Sequence, residues 1–108
     1  MNDAVVQQFD IVENLNPVTR GRYPFVVVLQ HDRTATLATL VVAPLSNTRA
    51  TSVPTRLNPF IRVGSRDFVI VAEALAAVQK RTLGKVFDSA DSHRYAIIAA
   101  LDALFTGI

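Results

Sequence analysis

Two histidines carry the imidazole chemistry available to this 108-residue chain, and they are His31 and His93. His31 is followed directly by Asp32, but adjacent residues of an extended segment point to opposite sides, so the two do not form an acid–base dyad by proximity alone. His93 lies near the start of a predicted helix, where a surface or capping role is commoner than metal ligation. Neither histidine by itself indicates a catalytic centre.

Other chemistry is restricted by what the sequence lacks. It contains no cysteine, so disulfides, thiolate catalysis and cysteine-based zinc sites are excluded. It also has no glycine-rich phosphate loop, no cluster with metal-ligand spacing and no recognisable catalytic triad. We therefore expect neither a cofactor nor a metal, and composition alone leaves the function open.

The composition fits one globular domain spanning residues 1–108, with residues 1–7 as a loose N-terminal extension. Half of the residues are hydrophobic and 19% are charged, which is enough to bury a core. The net charge of +2 is too small to indicate nucleic-acid binding, although nine of the eleven cations are arginine, which suits carboxylate-rich partners. The apolar runs are too short for a membrane span, and no signal peptide is visible, so a cytoplasmic location is expected.

Five short strands are predicted in the first two-thirds of the chain from β-branched residues, alternation and turn signals. The second is nearly continuous in apolar character and should be buried on both faces, Pro44 is expected to end the third, and Ser46–Asn58 should be an exposed loop. Gly64 and Ser65 form a tight hairpin connection. The predicted strands are Phe9–Val12, Tyr23–Gln30, Thr36–Ala43, Phe60–Val63 and Arg66–Ala72, which together suggest an antiparallel sheet or small barrel.

Two later segments have helical character. Glu73–Lys80 consists of strong helix formers, so propensity alone favours a helix there. A second helix is predicted over Ser89–Phe105, with Asp and Ser residues as possible N-caps and Gly107 as the residue that ends it. This helix is so apolar that we expect it to be buried on more than one side, by its own sheet or by another subunit.

The C-terminus, Ala99–Ile108, ends in Phe-Thr-Gly-Ile directly after the predicted helix. It resembles the CcdB toxins of toxin–antitoxin pairs, which end in a helix followed by Phe-Trp-Gly-Ile. The likeness runs from Gln8 to the end of the chain, with the loop after Leu45 shorter than usual. Further matches occur in the same order at nearly the same spacing, at Gln8-Phe9, Arg22-Tyr23, Val27, Gln30, Pro44-Leu45, Leu57, Pro59, Val63-Gly64 and Leu83-Gly84.

The resemblance implies a mainly β (α+β) fold. The expected structure is an SH3-like small barrel of antiparallel strands, CcdB/MazF-like, with a smaller sheet beside it, a C-terminal α-helix and a two-fold dimer. It further implies that Arg66–Ala72 and Leu75–Lys80 are successive strands that turn near Glu73 and Ala74. For the second of these segments we follow the family, because tertiary context often overrides local preference.

The resemblance also implies a function without catalysis. Toxins of this family bind the A subunit of DNA gyrase and trap its cleaved-DNA intermediate, through C-terminal tails that meet at the dimer axis. Their aromatic tail residue sandwiches a gyrase arginine, and Thr106 stands at its position here. The residues expected to contact the target are Asp102, Thr106, Gly107, Ile108, Arg33 and Thr34.

A second partner implied by the resemblance is a CcdA-like antitoxin with a disordered acidic tail, which folds along the toxin dimer. Arginines of the polar loops, Arg20, Arg22, Arg49 and Arg56, are expected to pair with its carboxylates. Neither a membrane nor nucleic acid is expected as a partner.

Three alternatives remain open at this stage. Because Thr106 replaces the aromatic residue, the chain is also consistent with a family member that binds an antitoxin but no longer poisons gyrase. An endoribonuclease toxin on the same scaffold is another alternative, with His31, Asp32 and Arg33 as its concentrated candidates. For the tail itself, the simple structural interpretation is that Gly107 caps the helix and Ile108 packs back on it.

Overall fold

The computed structural model describes residues 6–34, 38–47 and 55–108, and these contain seven β-strands and one α-helix. The strands are β1 (Asp10–Asn14), β2 (Phe25–Val28), β3 (Thr39–Asn47), β4 (Phe60–Val63), β5 (Arg66–Ile70), β6 (Ala76–Gln79) and β7 (Leu83–Ser89), and the helix is α1 (Arg94–Thr106). Short 3-10 turns precede β3, β6, β7 and α1.

All seven strands belong to one antiparallel sheet in the order β4-β5-β3-β2-β1-β7, with β6 attached to β3. The nine-residue β3 pairs with β2 on one side, while its other side pairs with β6 near its start and with β5 near its end. The sheet curls into a half-barrel with a C-terminal helix, which confirms the predicted fold class. In the described residues β6 is joined to the main sheet, so the separate smaller sheet implied by the resemblance is not seen.

Two apolar clusters cover opposite faces of the central strands. Alternate side chains such as Val27 and Leu45 lie on the face that Ile97 of α1 covers, while Val26 and Val42 lie on the other. β2 is therefore buried on both faces, as its continuous apolar run predicts.

The expectation that Pro44 ends a strand is wrong, because β3 continues through it to Asn47. Pro44 lies opposite Val26 of β2, and its carbonyl accepts a 3.0 Å hydrogen bond from the Val71 N–H on the other side. In an antiparallel ladder the N–H and C=O of one residue point to the same side. The missing N–H thus faces the gap where β3 changes its neighbour from β6 to β5, so no ladder bond is lost.

The segment Glu73–Lys80 contains strand β6 (Ala76–Gln79) and not the helix that its propensity favours. β6 pairs with Thr39–Val42 of β3, and a 3-10 turn over Ala72–Ala74 connects β5 to this strand. The interpretation taken from the family resemblance is confirmed here, since pairing with a central strand outweighs intrinsic preference.

Sequence reasoning missed β7 entirely and started the helix five residues too early. Five of the seven residues of β7 are exposed, so the strand has no apolar alternation that would reveal it. Ser89 ends β7, and the Ala90 N–H then donates a 2.7 Å bond to the Phe9 carbonyl. This attachment keeps the chain extended, and α1 begins at Arg94 after a 3-10 turn.

Other boundaries shift modestly. Phe9 has a positive φ of 70° and precedes β1, and the predicted loop Ser46–Asn58 loses its first two residues to β3; its central part, residues 48–54, lies outside the described residues. The hairpin around Gly64 is confirmed, with that glycine at φ 61°. Within the described ranges, no helix has the length and apolar character that crossing a membrane requires.

Gly84 marks a close approach between β1 and β7. A Cβ at this position would lie 2.9 Å from Glu13 Cβ and 2.8 Å from Glu13 Oε1. The same Oε1 atom accepts a 2.9 Å bond from the Lys85 N–H, beside an irregularity in the ladder between the two strands. The Glu13 carboxylate thus takes the place of a backbone acceptor for the Lys85 N–H, and at position 84 only glycine leaves room for the Glu13 side chain.

We expect Gly84→Ala to lower the free energy of unfolding by at least about 1 kcal/mol, because the added carbon forces β1 and β7 apart. Urea unfolding of the purified chain measures the change. Gly21→Ala is the matched control, since a Cβ at Gly21 meets no atom within 4 Å. Equal stability of the two variants would contradict the proposed close packing.

Candidate functional site

α1 crosses the concave side of the sheet and buries one face against it. Ile97 and Ala100 are fully buried, and Leu101 packs against the same cluster. An alanine- and leucine-rich sequence favours the helix itself. It begins without a side-chain N-cap bond, although the Asp91 carboxylate lies 3.4 Å from the Arg94 guanidinium across the first turn.

The opposite face of α1 is apolar and uncovered. Tyr95 is 81% exposed, Ile98 40% and Phe105 69%. Their spacing, together with that of the exposed Asp102, places all four on one side of the helix. We call these four residues the open face. The single chain buries the helix on one side, so the expectation that both sides are covered is not met within it.

The C-terminal tail is fixed by its own hydrogen bonds. The Thr106 hydroxyl donates to the Asp102 carbonyl at 2.6 Å and accepts a 3.4 Å bond from the Ile108 N–H. Gly107 adopts a left-handed φ of 76° and donates to the Ala103 carbonyl, so it caps the helix as predicted. Ile108 remains 71% exposed and does not pack back on the helix. Ile108 and Phe105 are therefore both exposed apolar side chains at the C-terminal end of α1.

The other predicted target contacts, Arg33 and Thr34, lie in a 3-10 turn after β2 and are exposed. This turn is held by Gln30, whose Nε2 donates to the Thr34 carbonyl at 3.0 Å, and by Thr34 itself, whose hydroxyl donates to the His31 carbonyl. Among the described residues no hydrogen bond or ion pair links the turn to Asp102 or to the tail.

The His31 and Asp32 side chains serve the same turn. His31 Nδ1 accepts a 3.0 Å bond from the Arg33 N–H, and Asp32 Oδ1 accepts a 2.7 Å bond from the Gln8 N–H. Each group thus holds backbone in place, and the two are not bonded to each other. His93 is similarly engaged, with its Nε2 at 3.4 Å from the Arg62 backbone nitrogen and 3.3 Å from its oxygen. In the described part of the chain no three acidic or histidine side chains are grouped to hold a metal ion.

Three of the four arginines predicted to meet the antitoxin are described, and all three are exposed. Arg20 and Arg22 lie in the loop between β1 and β2, which Asn14 fastens by donating to the Tyr23 carbonyl at 2.8 Å. The Arg22 guanidinium lies 5.2 Å from the Tyr23 ring centre. Arg56 lies on a different segment, just before β4, and Arg49 lies outside the described residues. None of the three makes an ion pair with a described carboxylate.

The feature that sequence reasoning missed is the division of the helix into two apolar faces. The apolar character of the predicted helix does not by itself separate Ile97, which is buried, from Ile98 and Phe105, which are exposed. A helical wheel separates the two groups, because residues three, seven and ten positions after Tyr95 return to its side of the helix.

Comparison with known proteins agrees with the fold. A search of curated proteins gives no match. A family model described as CcdB protein matches residues 8–107, which is nearly the whole chain. The chain therefore belongs to the CcdB family, whose members are toxins of toxin–antitoxin systems.

Proposed function

We propose that this chain is a type II toxin that acts in the cytoplasm by binding the A subunit of DNA gyrase and trapping the cleaved-DNA complex. The observation that carries the proposal is the open face of α1, continued by Ile108 at the end of the chain. An apolar surface of this kind on a small protein marks a protein-binding site. The chemistry is recognition of a larger protein, and the proposal assigns no catalytic step to the toxin.

The proposed active form is a homodimer whose two tails lie side by side at the two-fold axis. A self-complementary interface suits the part of the open face around Ile98, because an isologous contact pairs the same apolar patch on both subunits. Phe105 and the tail at the end of that face are then left for the target. Asp102 lies among those apolar side chains, and with the tail and the Arg33–Thr34 turn it would provide polar contacts to gyrase.

The proposed antitoxin partner is a disordered acidic segment that neutralises the toxin. Arg20, Arg22 and Arg56 support this part of the proposal, because they are exposed and carry no carboxylate partner within the described ranges. Guanidinium groups that are not already paired are available for bidentate contacts with carboxylates.

A second candidate, an antitoxin-binding protein that no longer poisons gyrase, is favoured by the geometry of Thr106. Its hydroxyl is directed at the Asp102 carbonyl of its own helix, and the side chain offers no ring surface to a target arginine. The endoribonuclease alternative has no such support, since His31 and Asp32 are both bonded to backbone N–H groups.

Expression in cells with wild-type gyrase tests these candidates. We expect double-strand DNA breaks and growth arrest, and we expect both to disappear in a host whose gyrase carries a substitution of the target arginine. Normal growth with intact DNA and RNA would favour the antitoxin-only candidate, while RNA fragments without DNA breaks would overturn the proposal.

A further inference from the structure

A groove of about 410 Å³ lies on the face of the sheet that α1 does not cover. Its floor is apolar and includes Val26, Val42 and Pro44, and one wall is formed by the consecutive residues Ala76–Gln79 of β6. Successive residues of a strand point to opposite faces. A wall made of consecutive residues therefore shows that the groove runs along the edge of β6.

The backbone of β6 is free along that edge. Lys80 donates its N–H to the Ala38 carbonyl at 3.1 Å, so alternation along the strand turns the N–H and C=O groups of Val78 and Ala76 toward β3. Those of Ala77 and Gln79 point the other way, into the groove. The Gln79 carbonyl accepts a bond from the Thr82 hydroxyl. Within the described part of the chain no hydrogen bond occupies the N–H and C=O of Ala77 or the N–H of Gln79, so these groups can pair with a partner strand.

The surroundings of the groove are basic. Arg20 and Arg22 alternate with the lining residues Thr19 and Tyr23 on the loop side, and Arg81 lies between Gln79 and Thr82 on the strand side. All three arginines are exposed. Among the described residues that line the groove, none is a carboxylate.

Two carboxylates are also next to lining residues in the sequence, Glu13 beside Asn14 and Glu73 beside Ala74. Glu73 Oε1 accepts a 2.7 Å bond from Asn58, and Glu13 Oε1 accepts the Lys85 N–H. The three arginines exceed these two carboxylates in number, and the remaining positive charge attracts a negatively charged segment.

We propose that the free edge of β6 and its groove form a strand-addition site for an extended acidic peptide segment. Backbone groups of Ala77 and Gln79 pair with the incoming strand, the apolar floor takes alternate side chains, and the arginines meet the carboxylates. The inference rests on the proposed function for the natural source of this segment, which is the antitoxin tail. It adds the location and the mode of binding.

The test uses the full chain and a short acetylated, amidated peptide of alternating valine and aspartate, with a valine–lysine peptide as its counterpart. Titration followed by backbone NMR should show binding of the acidic peptide only, with slowed amide exchange at Ala77 and Gln79. No binding at millimolar concentration, or equal binding of the lysine peptide, would overturn the inference. So would binding that leaves these two amides unprotected, which includes binding elsewhere on the surface.

Two variants make the test specific. Ala77→Pro removes one outward N–H without touching the β3 ladder, as proline on an edge strand is tolerated, and we expect roughly three- to tenfold weaker binding. Ala77→Ser keeps the N–H and should bind within about twofold of the parent. Equal binding by both variants would show that the strand edge is not used. Thermal unfolding of each variant establishes that it is folded.

The charge requirement is tested separately. The double variant Arg20→Gln/Arg22→Gln should bind the acidic peptide roughly tenfold more weakly at low salt. Arg62→Gln, which removes an exposed cation from β4, a strand that contributes no residue to the groove lining, is the control and should bind normally. Failure of these peptide experiments leaves gyrase poisoning untouched, since DNA breakage in cells does not depend on the groove. The two proposals are thus separable.

Discussion

Ile98→Glu is expected to convert the proposed dimer into monomers, raising the dimer dissociation constant at least about 100-fold. Ile98 is 40% exposed in the single chain and lies at the centre of the open face, between Tyr95 and Phe105 along the helix. A glutamate there keeps a solvated carboxylate in the monomer but loses that hydration in the dimer, where no cation of the same face faces it. Sedimentation velocity over a range of protein concentrations measures the shift.

The control for this variant is Ala96→Glu. Ala96 is also exposed, but it points away from the open face, because two residues along a helix turn the direction by more than half a turn. Ala96→Glu should leave the dissociation constant of the dimer nearly unchanged. At a concentration low enough for both variants to be monomeric, their melting temperatures should be close to each other. A parent chain that stays monomeric at high concentration would refute the paired-tail arrangement, and an Ile98→Glu dimer would place the interface elsewhere.

The central strands could be predicted because a strand that is buried on both faces consists mainly of apolar residues. β2 and β3 are covered on both faces, so Val26, Val27 and Val28 are all buried and the segment is continuously apolar. The hairpin at Gly64 was predictable for a different reason, since its φ of 61° favours glycine. In both cases the local environment, burial or backbone conformation, restricts which residues can occupy the segment.

Elements that depend on distant partners could not be predicted in the same way. β6 is a strand because Ala77 and Val78 pair with Val41 and Leu40 of β3, although its own composition favours a helix. β7 is mostly exposed, and its pairing with β1 is irregular, so its sequence shows no alternation of apolar and polar residues that would predict a strand. The resemblance to a family predicted that β6 is a strand, and no feature of the sequence predicted β7.

The exposed C-terminal tail could be located from the sequence, and its role in binding is a proposal. The C-terminal tail was identified from Phe105 to Ile108 by its resemblance to a family, and its exposure agrees with a role in binding. What residue types could not reveal is the direction of the Thr106 hydroxyl, which depends on the local backbone at the helix end. The sequence also did not predict the groove beside β6. Small residues such as Ala76 and Ala77 help to form it by leaving space, and an alanine in a sequence does not indicate a groove.

Thr106→Trp is expected to strengthen binding to the gyrase A subunit about tenfold or more. The threonine hydroxyl is bonded to the Asp102 carbonyl at 2.6 Å, so the present side chain is folded against its own helix. An indole at the same position extends from an exposed helix end, and a stacked cation contributes on the order of 0.5–2 kcal/mol per ring. With two tails at the dimer axis, two rings act on one target arginine. Calorimetric titration of the dimer with the A subunit measures the gain.

Two further variants separate the ring from the loss of the hydroxyl. Thr106→Val removes the hydroxyl at nearly constant size, so it should cost about 0.5–1.5 kcal/mol of stability without improving gyrase binding. Phe105→Ala removes the aromatic side chain that the parent chain exposes beside the tail, and it should weaken whatever binding the parent has. If Thr106→Trp and Thr106→Val bind alike while Phe105→Ala abolishes binding, Phe105 and not position 106 supplies the aromatic contact in this toxin. If none of the three variants changes the affinity for the gyrase A subunit, the tail is not the contact. A tail that touches its target would bind more tightly when an aromatic ring is added and more weakly when one is removed.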